Sequence, residues 1–329
     1  MRKVRDLPDI LSKNYSVGFV GFWGSWPAEK VRGWMVSDYI NFAWVDNLAD
    51  AANSSKNTDA EKRFEQTTYP PGLFKEILPI MITPDQVPRQ DYEKLLLFND
   101  EEWSRFQKVD PNKMKTMERP FKWGYLKDIN SRRMALYLAE NKKPEVLAVY
   151  FEGSDGVGHF FWKYMEPQYF QNMDPRELER FHYTINNYYQ LLDGFIGDLM
   201  KASGPDTAFL VLSDHGMYRV TRGGFISGSH AGDADGIIIF SGPGIKKANI
   251  IQNAHILDVT PTVLYYLGMP VAKDMDGKPL LEIFTDEFKT KNPLKTIATY
   301  ETKKRKTLSQ SSPFDQEIID IVKSMGYMQ

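Results

Sequence analysis

Val146-Leu-Ala-Val-Tyr-Phe-Glu-Gly-Ser-Asp155-Gly-Val-Gly-His159 is the segment of this 329-residue chain that most clearly indicates its fold. Its first half is an apolar run rich in β-branched and aromatic residues, which indicates a buried strand. Its second half places an aspartate and a histidine four residues apart among glycines, which let the backbone turn tightly. A loop that turns into a helix there would bring both side chains to one side of the carboxyl end of a sheet.

Three further apolar runs predict buried strands, at residues 17–23, 208–212 and 236–240. Between the predicted strands that start at residues 146 and 208, apolar residues recur at spacings of three and four from Leu178 to Leu199, which predicts an amphipathic helix. Another helix is predicted to start at Thr260-Pro261 and to stop at Gly268. This order predicts an α/β fold in which a largely parallel sheet is sandwiched by helices.

The chain divides into three predicted regions. Residues 1–46 are expected to form the N-terminal part of the α/β core, and residues 145–329 the main metal-binding core with a C-terminal tail. Residues 47–144 are dense in charge, aromatics and proline, and are interpreted as a cap inserted over the sheet. The alternative for this segment is a set of surface helices with no part in the chemistry.

The composition argues against some binding partners and does not identify the cellular compartment. A net charge of −2 and a pI near 6.3 argue against a nucleic-acid-binding surface or an anionic-membrane surface as partner. Without cysteine there is neither a disulfide nor a thiolate metal site. No signal peptide and no membrane-spanning segment is expected from the sequence. Taken literally the protein is cytoplasmic, whereas an extracytoplasmic location is the expectation if the true start lies upstream.

Two other glycine-flanked stretches carry metal-ligand chemistry: Leu212-Ser-Asp214-His215-Gly-Met and Gly228-Ser-His230-Ala-Gly. The first follows a predicted strand and the second leads into one. Carboxylate oxygen and imidazole nitrogen suit a divalent cation of borderline hardness, so the three stretches together predict a two-metal centre. One such motif alone would be weak evidence, because an isolated Asp–His pair arises easily by chance. His182 and His255 lack such company and are predicted to be structural.

The order of these signals resembles the alkaline phosphatase superfamily, and within it the type I phosphodiesterase/nucleotide pyrophosphatase branch. The resemblance continues through Ser241-Gly-Pro-Gly-Ile245, the segment from Asp258 to Pro270, Met275-Asp-Gly-Lys-Pro-Leu280 and a closing Met325-Gly-Tyr. It implies an alkaline-phosphatase-like fold and hydrolysis of phosphate esters in a small phosphorylated substrate. Two divalent ions are implied as cofactors, with zinc expected and manganese as the alternative.

The resemblance also implies a ligand set. Asp155, His159 and His230 would hold one ion, and Asp214 and His215 would hold the other. The family completes the second site with an aspartate at the end of its first strand.

No catalytic residue is assigned, because the family's threonine or serine nucleophile at a helix start does not map onto this chain. Ser25 and Ser37 stand at positions that are not the nucleophile's. The chain is therefore predicted to lack its N-terminal portion, to have one incomplete metal site, and to self-associate through an unpaired sheet edge. The alternatives are a catalytically inactive metal-binding or structural remnant of the fold, or the same fold with sulfatase or cofactor-independent phosphoglycerate mutase chemistry.

Overall fold

The computed structural model describes residues 4–42, 66–109, 117–221, 226–230 and 234–301. The chain forms two compact units: a larger one of Tyr15–Ser203 and Met217–Ala234, and a smaller one of Met1–Asn14, Gly204–Gly216 and Asp235–Gln329. The predicted boundary between residues 46 and 47, and the closing Met325-Gly-Tyr, lie outside the described residues. The division into core, cap and main core stays a prediction.

The described elements follow one another along the chain. The strands are β1 (Val17–Val20), β2 (Gly33–Val36), β3 (Thr68–Tyr69), β4 (Val146–Val149), β5 (Phe209–Leu212), β6 (Tyr218–Arg219), β7 (Gly228–Ser229), β8 (Ile238–Ser241), β9 (Val271–Ala272) and β10 (Thr296–Ile297). The α-helices are α1 (Leu7–Leu11), α2 (Leu73–Ile77), α3 (Arg89–Tyr92), α4 (Asp100–Gln107), α5 (Glu118–Tyr137), α6 (Gly153–Met165), α7 (Pro175–Phe181), α8 (Thr184–Ser203), α9 (Val259–Tyr266) and α10 (Asp286–Lys291).

The larger unit contains the central sheet, whose strand order is β3-β2-β1-β4. Strand β1 pairs in parallel with β2 and with β4, so that Phe19 lies between Met35 and Ala148. The short β3 adds an antiparallel edge next to β2. All of β1 is buried, which explains why it reads as a continuous apolar run. The predicted α/β class with a mostly parallel sheet is confirmed.

Helices α5, α6 and α8 supply most of the apolar core of the larger unit. One cluster joins Tyr92, Phe121, Phe161 and Tyr188, which are buried among further aromatic side chains. A second cluster covers the sheet, where Val20 and Val36 pack with residues of α5 and with Leu199 of α8. The predicted apolar stripe from Leu178 to Leu199 thus faces the core, as expected for an amphipathic helix.

That stripe is divided between two helices. Helix α7 ends at Phe181 and α8 begins at Thr184, so the single helix predicted across this stretch is wrong. At the break, ring nitrogen Nδ1 of His182 lies 2.8 Å from the Tyr164 carbonyl oxygen, a tertiary contact that periodicity cannot foresee.

The smaller unit holds two separate strand pairs in its described part. Strands β5 and β8 pair antiparallel, with Leu212 opposite Ile238, and β9 pairs in parallel with β10. The prediction that residues 208–212 and 236–240 extend the parallel sheet is therefore wrong for these two strands. Their apolar runs reveal that a strand is present, but a run of apolar residues carries no information on strand direction.

Helix α9 of the smaller unit starts earlier than predicted. A 3₁₀ turn at Ile256–Asp258 leads directly into it, and Asp258 rather than Thr260 occupies the N-cap position. The helix ends at Tyr266, two residues before Gly268, whose φ of +67° suits glycine after a helix end. None of the helices within the described residues is both long and apolar enough to cross a membrane.

Candidate metal centre

Helix α6 begins just beyond the carboxyl end of β4, and its first turn is held by Asp128 of α5. The Asp128 carboxylate is fully buried and accepts hydrogen bonds from Glu152 N (2.8 Å), Gly153 N (3.0 Å) and the Tyr188 hydroxyl (2.8 Å). Gly153 is necessary here, because a Cβ atom would overlap the Tyr188 hydroxyl. The start of α6 is therefore fixed by both α5 and α8.

The pKa of the Asp128 carboxyl is raised. Burial raises the pKa of its carboxyl to about 7, although the hydrogen bonds from Tyr188 and from the backbone of Glu152 favour the ionised form. A buried carboxylate that accepts three hydrogen bonds is satisfied as an acceptor but still costs free energy to ionise.

Asp155, His159 and His230 come together within the larger unit. Asp155 and His159 lie four residues apart on α6, one helical turn apart on the same face, and His159 Nε2 is 3.5 Å from Asp155 Oδ1. His230, which follows β7, places its Nε2 atom 3.7 Å from the same carboxylate oxygen. The two imidazole rings stand edge to face with centroids 4.9 Å apart.

One carboxylate oxygen with two imidazole nitrogens within 3.7 Å of it is a donor set whose chemistry suits a borderline divalent ion such as zinc. His159 is only 3% exposed, so its ring nitrogen lies in a region where water competes weakly. The chemistry of these three side chains therefore fits a divalent ion.

The orientation of His159 is set by a backbone contact. Its Nδ1 atom lies 2.8 Å from the Gly228 carbonyl oxygen, which assigns the proton to Nδ1 and leaves Nε2 as the acceptor. Hydrogen bonds of this kind fix the tautomer and the ring plane of metal-ligating histidines. His215 has the same arrangement, with Nδ1 3.0 Å from the Gly216 carbonyl oxygen.

Asp214 and His215 lie in the smaller unit, directly after β5. His215 Nε2 is 3.8 Å from Asp214 Oδ1. The Ser213 hydroxyl donates to the His215 carbonyl oxygen at 2.5 Å and holds the turn that separates them from strand geometry. Asp214 is much more exposed than Asp155.

Sequence reasoning missed a second group of charged side chains in the larger unit. Buried Lys127 forms an ion pair with Glu152, whose Oε2 atom also accepts a 2.8 Å hydrogen bond from Trp23 Nε1. Asp38, just after β2, has its pKa raised by burial, and the Lys127 charge partly opposes this rise. Trp23, Asp38 and Glu152 follow the carboxyl ends of neighbouring parallel strands, and Lys127 lies on α5, but no spacing or glycine pattern in the sequence indicates them.

The other histidines have structural contacts. His255 caps the 3₁₀ turn before α9, since its Nδ1 atom accepts a 3.2 Å hydrogen bond from Leu257 N. Asp258 accepts hydrogen bonds from His255 N (2.9 Å) and Lys278 N (2.8 Å). The segments from Asp258 to Pro270 and around Lys278, which carry part of the resemblance, are thus tied together by Asp258.

A comparison with protein families gives one match. The family model described as type I phosphodiesterase / nucleotide pyrophosphatase matches residues 27–270, about three quarters of the chain. The chain belongs to this family. No curated protein and no solved structure matches it.

Membership of the type I phosphodiesterase / nucleotide pyrophosphatase family confirms the predicted resemblance at that level. The family hydrolyses phosphate esters and is typically metal-dependent, and its alkaline-phosphatase-like fold agrees with the α/β architecture described above. The matched range includes β4, α6 and all five predicted ligands.

Proposed function

We propose that this chain carries the metal centre of a phosphodiesterase that hydrolyses small phosphate esters with two divalent ions, zinc or manganese. Asp155, His159 and His230 hold one ion, and Asp214 and His215 contribute to the second. The observation that carries the proposal is the approach of His159 Nε2 and His230 Nε2 to Asp155 Oδ1, at 3.5 and 3.7 Å. Family membership supplies the reaction class.

Bound divalent ions would polarise the phosphoryl oxygens and neutralise charge on the leaving oxygen. The chain's own residues set the conditions for this chemistry. Helix α6 presents Asp155 and His159 one turn apart, and the Gly228 carbonyl keeps the His159 ring oriented with Nε2 toward the site. Asp128 fixes the first turn of that helix through Glu152 N and Gly153 N.

The proposal includes that Ser25, Ser37 and Thr68 do not act as the nucleophile. Ser25 is buried, and its Oγ donates to the Phe22 carbonyl oxygen at 2.5 Å while accepting from Asp38 N at 3.1 Å. Ser37 is fully buried. Thr68 Oγ1 accepts a 3.1 Å hydrogen bond from Phe74 N in the first turn of α2. A nucleophile must reach substrate, and these hydroxyls serve the fold instead.

The test measures hydrolysis of bis-p-nitrophenyl phosphate with zinc or manganese present. We expect little turnover from the chain alone, and a rise of orders of magnitude when a separately expressed family segment supplies the strand-ending aspartate and the helix-start threonine or serine. Asp155→Ala and His215→Ala should abolish the restored activity. Asp206→Ala, which removes an exposed aspartate, is the matched control and should leave it unchanged.

Each other outcome points elsewhere. Robust metal-dependent turnover by the chain alone would contradict the missing nucleophile. Bound metal without any hydrolysis, with or without the added segment, would identify an inactive metal-binding remnant. Release of sulfate from an aryl sulfate in place of phosphate ester hydrolysis would favour sulfatase chemistry.

A further inference from the structure

Ser227 connects the strand pair that leads to His230 with the helix that carries Asp155 and His159. It directly precedes β7 and is 1% exposed. Its backbone N–H donates to the His159 carbonyl oxygen at 2.8 Å. Its side-chain Oγ accepts a 3.1 Å hydrogen bond from Lys163 N and lies 3.3 Å from the Phe160 carbonyl oxygen, to which it can donate.

Ser227 hydrogen-bonds to two backbone groups of α6 that would normally pair with each other. The N–H of residue 163 and the C=O of residue 159 are the two groups that a regular α-helix joins in one i→i−4 hydrogen bond. Ser227 bonds to both, one through its hydroxyl and one through its backbone. Ser227 therefore hydrogen-bonds to α6 at the turn that begins with the proposed ligand His159.

The residues on either side of Ser227 strengthen this connection. Gly228, the next residue, supplies the carbonyl oxygen that orients His159 Nδ1. It lies so close to α6 that a Cβ atom would overlap the Gly158 carbonyl group. His230 follows only two residues later. Contacts at Ser227 and Gly228 thus join the segment that leads to His230 to the helix that carries Asp155.

We propose that Ser227 is a positioning residue for the metal centre: its hydroxyl and amide fasten the His230 segment to α6, so that three ligands from two separate parts of the chain converge on one ion. This inference rests on the proposed function. A purely structural serine would contribute to stability alone, whereas a positioning serine also sets metal affinity and coordination geometry.

The experiment compares wild type with Ser227→Ala and Ser227→Thr in the whole chain. Zinc affinity is measured by competition with a chromophoric chelator, and coordination geometry by the visible absorption of the cobalt(II)-loaded protein. We expect Ser227→Ala to weaken zinc binding about 10-fold or more and to alter the cobalt spectrum, as other losses of outer-shell support do. Ser227→Thr, which keeps the hydroxyl, should restore most of the affinity and the spectrum.

Ser104→Ala makes the same chemical change at an exposed position of α4 and should behave as wild type. Zinc binding by Ser227→Ala equal to wild type would overturn the inference. If Ser227→Ala does not fold, Ser227→Cys takes its place, since it keeps the size but weakens the hydrogen bonds, and unchanged affinity there has the same meaning.

Amide hydrogen exchange separates the two proposals. Without metal, Ser227→Ala should speed exchange in residues 226–230 and 159–163, because the fastening contacts do not need the ion. If wild type binds no zinc, the proposed function fails, and the exchange data still decide whether Ser227 fastens the segment. Unchanged exchange in Ser227→Ala overturns that role.

Discussion

Replacing Asp128 by asparagine should change how the stability of the chain depends on pH. The carboxyl has an ordinary pKa of 3.8, and burial raises it to about 7 in the folded chain. Between these two pH values the folded chain keeps a proton that the unfolded chain has lost. The free energy of unfolding of wild type therefore falls as pH rises through this window, and stays level with respect to this group on either side.

The magnitude follows from the width of the window. It spans about 3 pH units, each worth about 1.4 kcal/mol, so ionising Asp128 in the folded chain costs about 4 kcal/mol. Asparagine does not titrate, so this fall with pH is absent from the variant. Relative to wild type, Asp128→Asn should therefore gain about 3 kcal/mol in free energy of unfolding between pH 5 and pH 8.

Urea unfolding at pH 5, 6, 7 and 8, followed by tryptophan fluorescence, measures the difference between the two proteins. Other titrating groups contribute equally to both and cancel. Asp206→Asn is the matched control at an exposed position and should run parallel to wild type. Tyr188→Phe removes a hydrogen bond that favours the ionised form, and should extend the window above pH 7. Parallel curves for wild type and Asp128→Asn would refute the reasoning.

Two further substitutions test contacts on which the fold and the site depend. The hydrogen bond from Arg176 lowers the pKa of Glu102 to about 2, so the stability that ionised Glu102 contributes is lost as pH falls from 4.5 toward that value. Between pH 6 and pH 3, Glu102→Gln should therefore lose less free energy of unfolding than wild type. Urea unfolding at these two pH values measures the loss, and an equal loss in both proteins would contradict the prediction. Gly228→Ala should lower the free energy of unfolding by more than about 2 kcal/mol, because its Cβ meets the backbone of Gly158. Gly158→Ala should lower it by less than about 1 kcal/mol, because its Cβ meets only the flexible side chain of Met217. Equal thermal stability of the two alanine variants would show that these contacts do not limit packing.

Local signals made part of this fold predictable. The strand β4 and the start of α6 are visible because an apolar run, glycines and the Asp155–His159 spacing follow one another within 14 residues. The direction of β5 and β8 was not predictable, because it depends on which strand each one pairs with. The break between α7 and α8 was likewise hidden, since the apolar period continues across it.

Some residues of the candidate site can be predicted from the sequence, and others cannot. The proposed ligands carry their own signal, because aspartate and histidine among glycines at strand ends are unusual. Asp128 and Ser227 carry none. Each acts through hydrogen bonds to backbone groups of α6 that lie at least 24 residues away in the chain. Such contacts arise from tertiary packing and can be found only in a structure.

The metal content of the purified chain shows whether Asp155, His159 and His230 form a metal site. After dialysis against zinc and then against metal-free buffer, we expect close to one zinc ion per chain, held by Asp155, His159 and His230. Asp155→Ala should lose this ion, and His182→Ala, which removes a histidine outside the centre, should keep it. A wild-type chain that retains no zinc, or an Asp155→Ala chain that retains as much as wild type, would contradict the account.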